Sequence, residues 1–266
     1  MYETQYHRAK DVADAAALFS GASDASYLAG GQTLIPTMKQ RLAAPSDLVG
    51  ITHLADLKGI SGGKEMVTIG AAVTHAEVAT SDAVKNAIPA LAVLASKIGD
   101  PAVRHRGTIG GSLANNDPAA DYPAGALGLG AIIHTDKRTI GAEDFFQGLF
   151  STTLEEGELI TKIAFPVPAK AAYMKFANPA SRYAMAGVFV ARMGDGNIRV
   201  AVTGAGQQGV FRSEPIEKAL STSWNAEALD ELAIDTEMML SDLHGSAEYR
   251  ANLVKVMAKR AVAAIG

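Results

Sequence analysis

Hydrophobic residues recur at helical spacing close to the N-terminus. Val12, Ala15, Ala16 and Phe19 fall on one face, and Asp11 stands in the capping position before them. Ser26-Tyr27-Leu28-Ala29 reads as a short strand ending at Gly30-Gly31. Thr33 precedes a helical stretch from Leu34 to Leu42 with Pro36 in its first turn, and Asp47 to Ile51 reads as a further strand. After Gly62-Gly63, Met66 to Ala71 is strand-like. Helices run from Ala76 to Ile98 with an interruption at Pro89, and a glycine-rich stretch from Gly99 to Asp121 reads as one long loop. Ala131 to His134 and Leu159 to Phe165 are strands. Pro166-Val167-Pro168 stops both helix and sheet and marks a boundary. Beyond it, Gly187 to Met193 and Ile198 to Thr203 are strands joined by the hairpin signal Gly194-Asp195-Gly196-Asn197. The end is helical: Ser246 caps a segment in which Tyr249, Leu253, Val256, Met257 and Ala264 share a face. The pattern predicts an α+β chain with domains at 1–166 (subdomains 1–56 and 57–166) and 169–266.

Composition narrows the function classes. The 266 residues are 48% hydrophobic and 20% charged, enough to bury a core, and they contain no cysteine. A disulfide, a thiolate nucleophile and a cysteine-held iron–sulfur cluster are thereby excluded on this chain. A net charge of −4 argues against a nucleic-acid partner. No apolar run reaches the ~18–20 residues of a membrane span, and the first residues lack a signal core, so the expectation is a cytoplasmic location.

Two glycine pairs carry candidate chemistry. Ala29-Gly30-Gly31-Gln32-Thr33-Leu34 takes a strand through two glycines into a helix, a geometry that cradles phosphate or makes an ordinary tight turn. Thr108-Ile109-Gly110-Gly111-Ser112, with Asn115, Asn116, Asp117 and Asp121 behind it, offers hydroxyls and backbone N–H groups to phosphate and a carboxylate to ribose. The alternative is a capped structural loop. Gly204-Ala205-Gly206-Gln207-Gln208-Gly209 matches G-x-G-x-x-G. Pro215 falls inside the helix that motif needs, so it reads as a hairpin strand ending in a turn. Lys175 sits in an alternating strand and faces either a cofactor or solvent. Arg104 and Arg106 either assist an anion or pair with Asp100. The six histidines lack metal-ligand spacing, and no G-x-S-x-G is present.

The two glycine loops in this order resemble the FAD-binding medium subunits of the molybdenum hydroxylases, the xanthine dehydrogenase and aerobic carbon monoxide dehydrogenase family. Ala29 to Pro36 looks like the family's first flavin loop. Gly99-Asp100 with Val103 to Gly111 and Asp117 to Asp121 looks like the second. Asp242-Leu243-His244-Gly245-Ser246-Ala247-Glu248-Tyr249-Arg250 is similar to the signature of the C-terminal domain. The likeness spans nearly the whole chain and is nearest to the carbon monoxide dehydrogenase type. It implies a p-cresol methylhydroxylase-type FAD domain in two subdomains and a C-terminal domain of three antiparallel strands with helices.

The resemblance also implies roles. Ala29, Gly30, Gly31, Gln32 and Thr33, with Thr108, Ile109, Gly110, Gly111 and Ser112, would hold the FAD pyrophosphate through N–H and hydroxyl groups. Asp121 would hold the adenosine ribose, and Asn115 would make another polar contact to that half. Leu159 and Ile160 would contact the adenine region through their backbone. Lys175 would lie near the isoalloxazine and Tyr183 beside the ring. Departures are Arg182, where many members carry an acidic residue, His105, where many carry Asn, and the variable position Gln32. The implied activity is relay of electrons from [2Fe–2S] clusters of a small subunit to an external acceptor. The molybdenum cofactor would sit on a large subunit, in a dimer of heterotrimers. The absence of cysteine fits clusters held by a partner. A stand-alone NAD(P)-dependent flavin reductase, or a scaffold with an empty flavin site, is the alternative.

Overall fold

The computed structural model describes residues 1–265 and contains three sheets. In the first, β1 (Gln5–Arg8), β3 (Asp47–Gly50) and β2 (Ala25–Leu28) pair in parallel with β3 central, and α1 (Val12–Ser20) crosses between β1 and β2. Asp11 caps α1 by accepting from the Asp14 N–H. The helix α2 (Leu34–Lys39) stops three residues before the predicted end.

The second sheet has the order β4 (Ile60–Gly62), β5 (Met66–Gly70), β8 (Ile160–Pro166), β6 (Ile132–Thr135), β7 (Thr139–Gly141), all antiparallel. The helical stretch after β5 is three helices: α3 (His75–Thr80), α4 (Asp82–Ala87) and α5 (Pro89–Ser96). Ser81 ends α3 in an extended conformation and caps α4, which breaks a run that looks continuous in sequence. The stretch from Gly99 to Asp121 is not one loop. It holds α6 (Pro101–Arg104) and α7 (Ile109–Asn115), capped by Asp100 and Thr108, and two glycines in the first turn of α7 hide it from a propensity reading. The helix α8 (Tyr122–Leu129) follows and is buried at every position. A short helix, α9 (Ala142–Phe145), follows β7.

The third sheet is antiparallel with the order β12 (Phe211–Arg212), β11 (Ile198–Thr203), β10 (Ala184–Arg192), β9 (Lys170–Ala177). The expected three strands become four, because the two-residue β12 is too short to carry an alternation. One face, with Tyr173, Phe189, Ala191 and Ala201, joins the core of α5 and α8. The other, with Val188, Val190, Val200 and Val202, packs on α10 (Glu214–Thr222) and α11 (Ala247–Ala263). Both faces being covered explains why β10 is a continuous apolar run. Ser246 caps α11, but the buried stripe runs through Ala251, Val254, Met257, Ala258 and Ala261 and leaves Tyr249 exposed.

Candidate functional site

The first glycine loop leaves β2 and enters α2. Gly31 has φ +70°, a left-handed conformation that favours glycine. Gly30 is required for a different reason than anion approach: a Cβ there would lie 2.1 Å from the Arg106 carbonyl oxygen, so the two glycine loops touch through this residue. The backbone N–H groups of Gly30, Gly31, Gln32 and Thr33 make no hydrogen bond among the described residues, which leaves four consecutive unspent donors.

The second loop is arranged differently: the N–H groups that the resemblance gives to pyrophosphate are already bonded inside the protein. Ile109 N–H donates to the Val73 carbonyl (3.0 Å), Gly110 to Ala71 (2.9 Å), Gly111 to Thr108 Oγ1 (3.2 Å) and Ser112 to the Thr108 carbonyl (3.0 Å). Gly110 is glycine because a Cβ would stand 2.6 Å from Ala71 Cβ. At Gly111 a Cβ would meet Thr108 Oγ1 at 2.9 Å and the Ala29 side chain at 3.8 Å. The loop offers the hydroxyls of Thr108 and Ser112 and the amide of Asn115 instead, all lining the same cavity as the first loop.

That cavity has a volume of about 910 Å³, in the upper range of small-molecule sites. On one side Phe19 stacks on Tyr27 (4.8 Å), and the Tyr27 hydroxyl donates to the Gly157 carbonyl (3.0 Å). Leu159 and Ile160 are buried beside them. The Leu159 N–H donates to Asp136 Oδ1 (2.8 Å) and its carbonyl accepts from the Asp136 N–H (3.0 Å), so both backbone groups already have partners. Glu158 lines this side and is held by Arg138 through two bonds of 2.9 Å. These contacts bring its carboxyl down to about 2.

Lys175 faces the cavity with its side chain only 3% exposed. Its Nζ donates to Asp121 Oδ2 (2.9 Å) and to the Lys97 carbonyl (3.1 Å), which leaves one donor free. The other Asp121 oxygen accepts from the Tyr173 hydroxyl (2.5 Å). Burial pushes the Asp121 carboxyl up, against the opposing pull of Lys175 and Tyr173. The ion pair puts Asp121 and Lys175 side by side on one stretch of the cavity wall, whereas the resemblance gives them to the ribose and the isoalloxazine respectively. Contacts run in series from the first loop (Gly30) to Gly107, from Gly107 to the His75 ring, from His75 to Tyr122, and from there to Asp121 and Lys175. Phe19, Tyr27 and Leu159 take no part in this series.

Tyr183 is 53% exposed at the cavity rim, and burial of the remainder with Asp117 and Asp121 nearby raises its pKa. It follows Arg182, whose φ of +63° completes a turn in which Asn178 Oδ1 accepts from the N–H groups of Ala180 and Ser181. Arg104 is spent on the carbonyls of Ile98 and Gly99, and Arg106 does not line the cavity. The G-x-G-x-x-G segment ends the antiparallel strand β11. Its Gly204 is fastened to the Pro118 carbonyl, and Arg250, paired with Asp242, donates to the Gly204 oxygen, so it is a turn. Sequence reasoning passed over Tyr173, and it passed over His75, although Thr74-His75-Ala76-Glu77 carries the capping-box signal that starts α3.

Four free N–H donors on one loop, two hydroxyls and the one remaining N–H of the Lys175 ammonium, all from residues lining one cavity, suit a phosphate-bearing cofactor with a polar ring system. Together with the two-lobed α+β fold they define a nucleotide-cofactor-binding protein. Residues 2–168 match the family described as "FAD binding domain in molybdopterin dehydrogenase", and residues 171–265 match "CO dehydrogenase flavoprotein C-terminal domain". The chain is 36% identical to the carbon monoxide dehydrogenase medium chain of Afipia carboxidovorans, covering 97% of this chain and 94% of that one. It is 34% identical to the nicotine 6-hydroxylase medium subunit of Paenarthrobacter nicotinovorans, covering 98% and 97%. A chain of the cyanide-inactivated Cu,Mo-CO dehydrogenase crystal structure superposes with a TM-score of 0.89 at 36% identity, covering 98% and 96%. The protein belongs to the FAD-binding medium subunits of the molybdenum hydroxylase family, and it is an oxidoreductase subunit of the carbon monoxide and xanthine dehydrogenase type.

Proposed function

We propose that this chain holds FAD as the electron-transfer subunit of a molybdenum-containing dehydrogenase. It takes electrons from [2Fe–2S] clusters of a small subunit and hands them to an external acceptor. The molybdenum cofactor belongs to a large subunit, in a dimer of heterotrimers. The observation that carries this reading is the row of four unspent N–H donors on the first loop, in a cavity that a buried ammonium also lines. FAD, when bound, supplies redox chemistry that accepts electrons singly and releases them singly or in pairs.

In this reading the N–H groups of Gly30 to Thr33 bind the pyrophosphate, with Thr108 and Ser112 donating from their hydroxyls and Asn115 at the margin. Leu159 and Ile160 wall the adenine. Asp121 fixes Lys175, whose free N–H meets the ring system, and Tyr183 covers the ring at the rim. Lys175 lies deep enough to favour negative charge placed beside it. The lobes at 1–166 and 169–266 each contribute: the loops come from the first, Lys175 and Tyr183 from the second. No general acid, base or nucleophile is asked of this chain. The test is an anaerobic mixing experiment on the assembled complex. Adding the substrate of the large subunit should bleach the flavin absorbance, and adding acceptor should restore it. A complex that turns over substrate with its flavin absorbance unchanged would contradict the relay.

A further inference from the structure

His75 is a cavity residue for which the roles above leave no use. It is the first residue of α3, fixed by the capping box in which Thr74 accepts from the Glu77 N–H while Glu77 accepts from the Thr74 N–H. Its side chain lies within a residue only 4% exposed, and it lines the cavity. The ring is wedged between Tyr122, at 5.3 Å between centroids, and Gly107, where a Cβ would stand 2.6 Å from Nε2. The His75 N–H donates to the Gly107 carbonyl (3.0 Å), so backbone and ring are both anchored. Yet Nδ1 is enclosed with no hydrogen-bond partner. Nε2 also has no hydrogen bond among the described residues but is not among the enclosed atoms, so it is the ring nitrogen that a ligand can reach.

The chemistry of the ring narrows what that ligand offers. Burial, helped by the charge of Arg104, brings the His75 pKa down to about 4. The imidazole is neutral at pH 7, with one N–H donor and one acceptor. Orphaned buried N–H groups are rarer than under-satisfied acceptors, so we assign the proton to Nε2 and the enclosed lone pair to Nδ1. That nitrogen lies on the Gly107 side, and Gly107 is itself a cavity residue. A neutral donor suits a hydroxyl oxygen and a phosphate oxygen alike, so position decides between them.

Position narrows it further. Gly107 touches Gly30 of the loop with the free N–H groups, since a Cβ on Gly30 would lie 2.7 Å from Gly107 Cα. Tyr122, on the other side of the ring, directly follows Asp121, the partner of Lys175. His75 thus stands between the group that suits pyrophosphate and the group that suits the flavin ring. The part of FAD between those two is the ribityl chain with its hydroxyls. We propose that His75 is a cofactor-binding residue whose Nε2–H donates to a ribityl hydroxyl oxygen; this rests on the FAD reading given above.

The test compares two ligands on the folded full-length chain by equilibrium titration, with thermal melting to verify folding. FAD carries the ribityl chain, while ADP carries the adenosine and the pyrophosphate and lacks it. His75→Phe removes both nitrogens and keeps the volume, and His75→Gln restores a donor. The expected result is an FAD affinity about tenfold weaker in His75→Phe, a loss of the size of one buried hydrogen bond. ADP affinity should change less than about twofold, and His75→Gln should recover most of the FAD loss. Equal weakening of FAD and ADP would place His75 at the pyrophosphate or in the scaffold and overturn the assignment. So would unchanged binding of both. If His75→Phe melts early, His75→Leu takes its place as the variant without a donor, with the same expected and contradicting outcomes and the Gln variant still the rescue. Failure of the unmodified chain to bind FAD at all sinks the FAD reading itself, a distinct outcome.

Discussion

Glu158 shows how one side chain ties the cavity wall to charge. Its carboxylate accepts from Arg138, Thr135 and the Glu155 N–H, and the Arg138 contact is the largest cause of a pKa lowered from 4.5 to about 2. A carboxyl lowered in the folded state adds stability that is fully present above about pH 4.5 and is lost as pH falls from there through about 2. Arg138 is 41% exposed, so solvent screening reduces the gain. Glu158→Gln should therefore cost about 1–2 kcal/mol at pH 7. The cost should shrink towards zero as the pH is lowered into that window, measured by urea unfolding; a cost that does not depend on pH would remove the ion pair as its cause. The sequence showed such residues only as types. Gly30, Gly31, Gly110 and Gly111 were legible as special positions, but the reasons lay in three dimensions. Only Gly31 needs a positive φ, while Gly30 and Gly110 are set by Arg106 and Ala71, which come from other segments. Asp121 and Lys175 are far apart in sequence, so nothing in either neighbourhood announces their ion pair.

At the scale of elements, α7 ends on Asn116, whose φ is +42°. Its side-chain amide donates to the carbonyls of Gly148 (2.7 Å) and Ser151 (2.8 Å), and its own carbonyl accepts from the Phe150 N–H. One residue therefore ends the helix that carries Thr108 and Ser112 and ties it to the 147–151 segment. Asn116→Ala loses both side-chain bonds and keeps the left-handed strain, which should destabilise by about 2–4 kcal/mol. Asn116→Gly loses the same bonds but relieves the backbone, so it should cost about 1 kcal/mol less. Denaturant midpoints check the order; Gly no better than Ala would discount the strain. Strands with clear alternation and helices with side-chain caps, β5, β11, α1 and α11, were readable from the chain. The failures share a cause. Glycine in a first turn disguised α7, a cap inside an apolar run split α3 from α4, and a two-residue strand has no period to read.

At the scale of the molecule, the third sheet is buried on both faces, between α5 and α8 on one side and α10 and α11 on the other. A Cβ on Gly128 of α8 would stand 2.9 Å from the Phe189 ring of β10, so the lobes meet in close packing and not across a loose linker. That contact is what carries Lys175, inside β9, and Tyr183, just before β10, to a cavity whose loops come from the other lobe. The three sequence motifs were legible because each is local. The pairing of Asp121 with Lys175 was not, because it depends on this docking.

The central claim is that the cavity of the two glycine loops, and not the turn at Gly204 to Gly209, holds FAD. The most direct measurement is a titration of the folded, flavin-free protein with FAD, alongside Gln208→Ala, a change at an exposed residue of that turn. One FAD per chain, bound non-covalently and with equal affinity in both proteins, is the result expected. A folded chain that takes up no FAD, or a Gln208→Ala variant that loses it, would contradict the account.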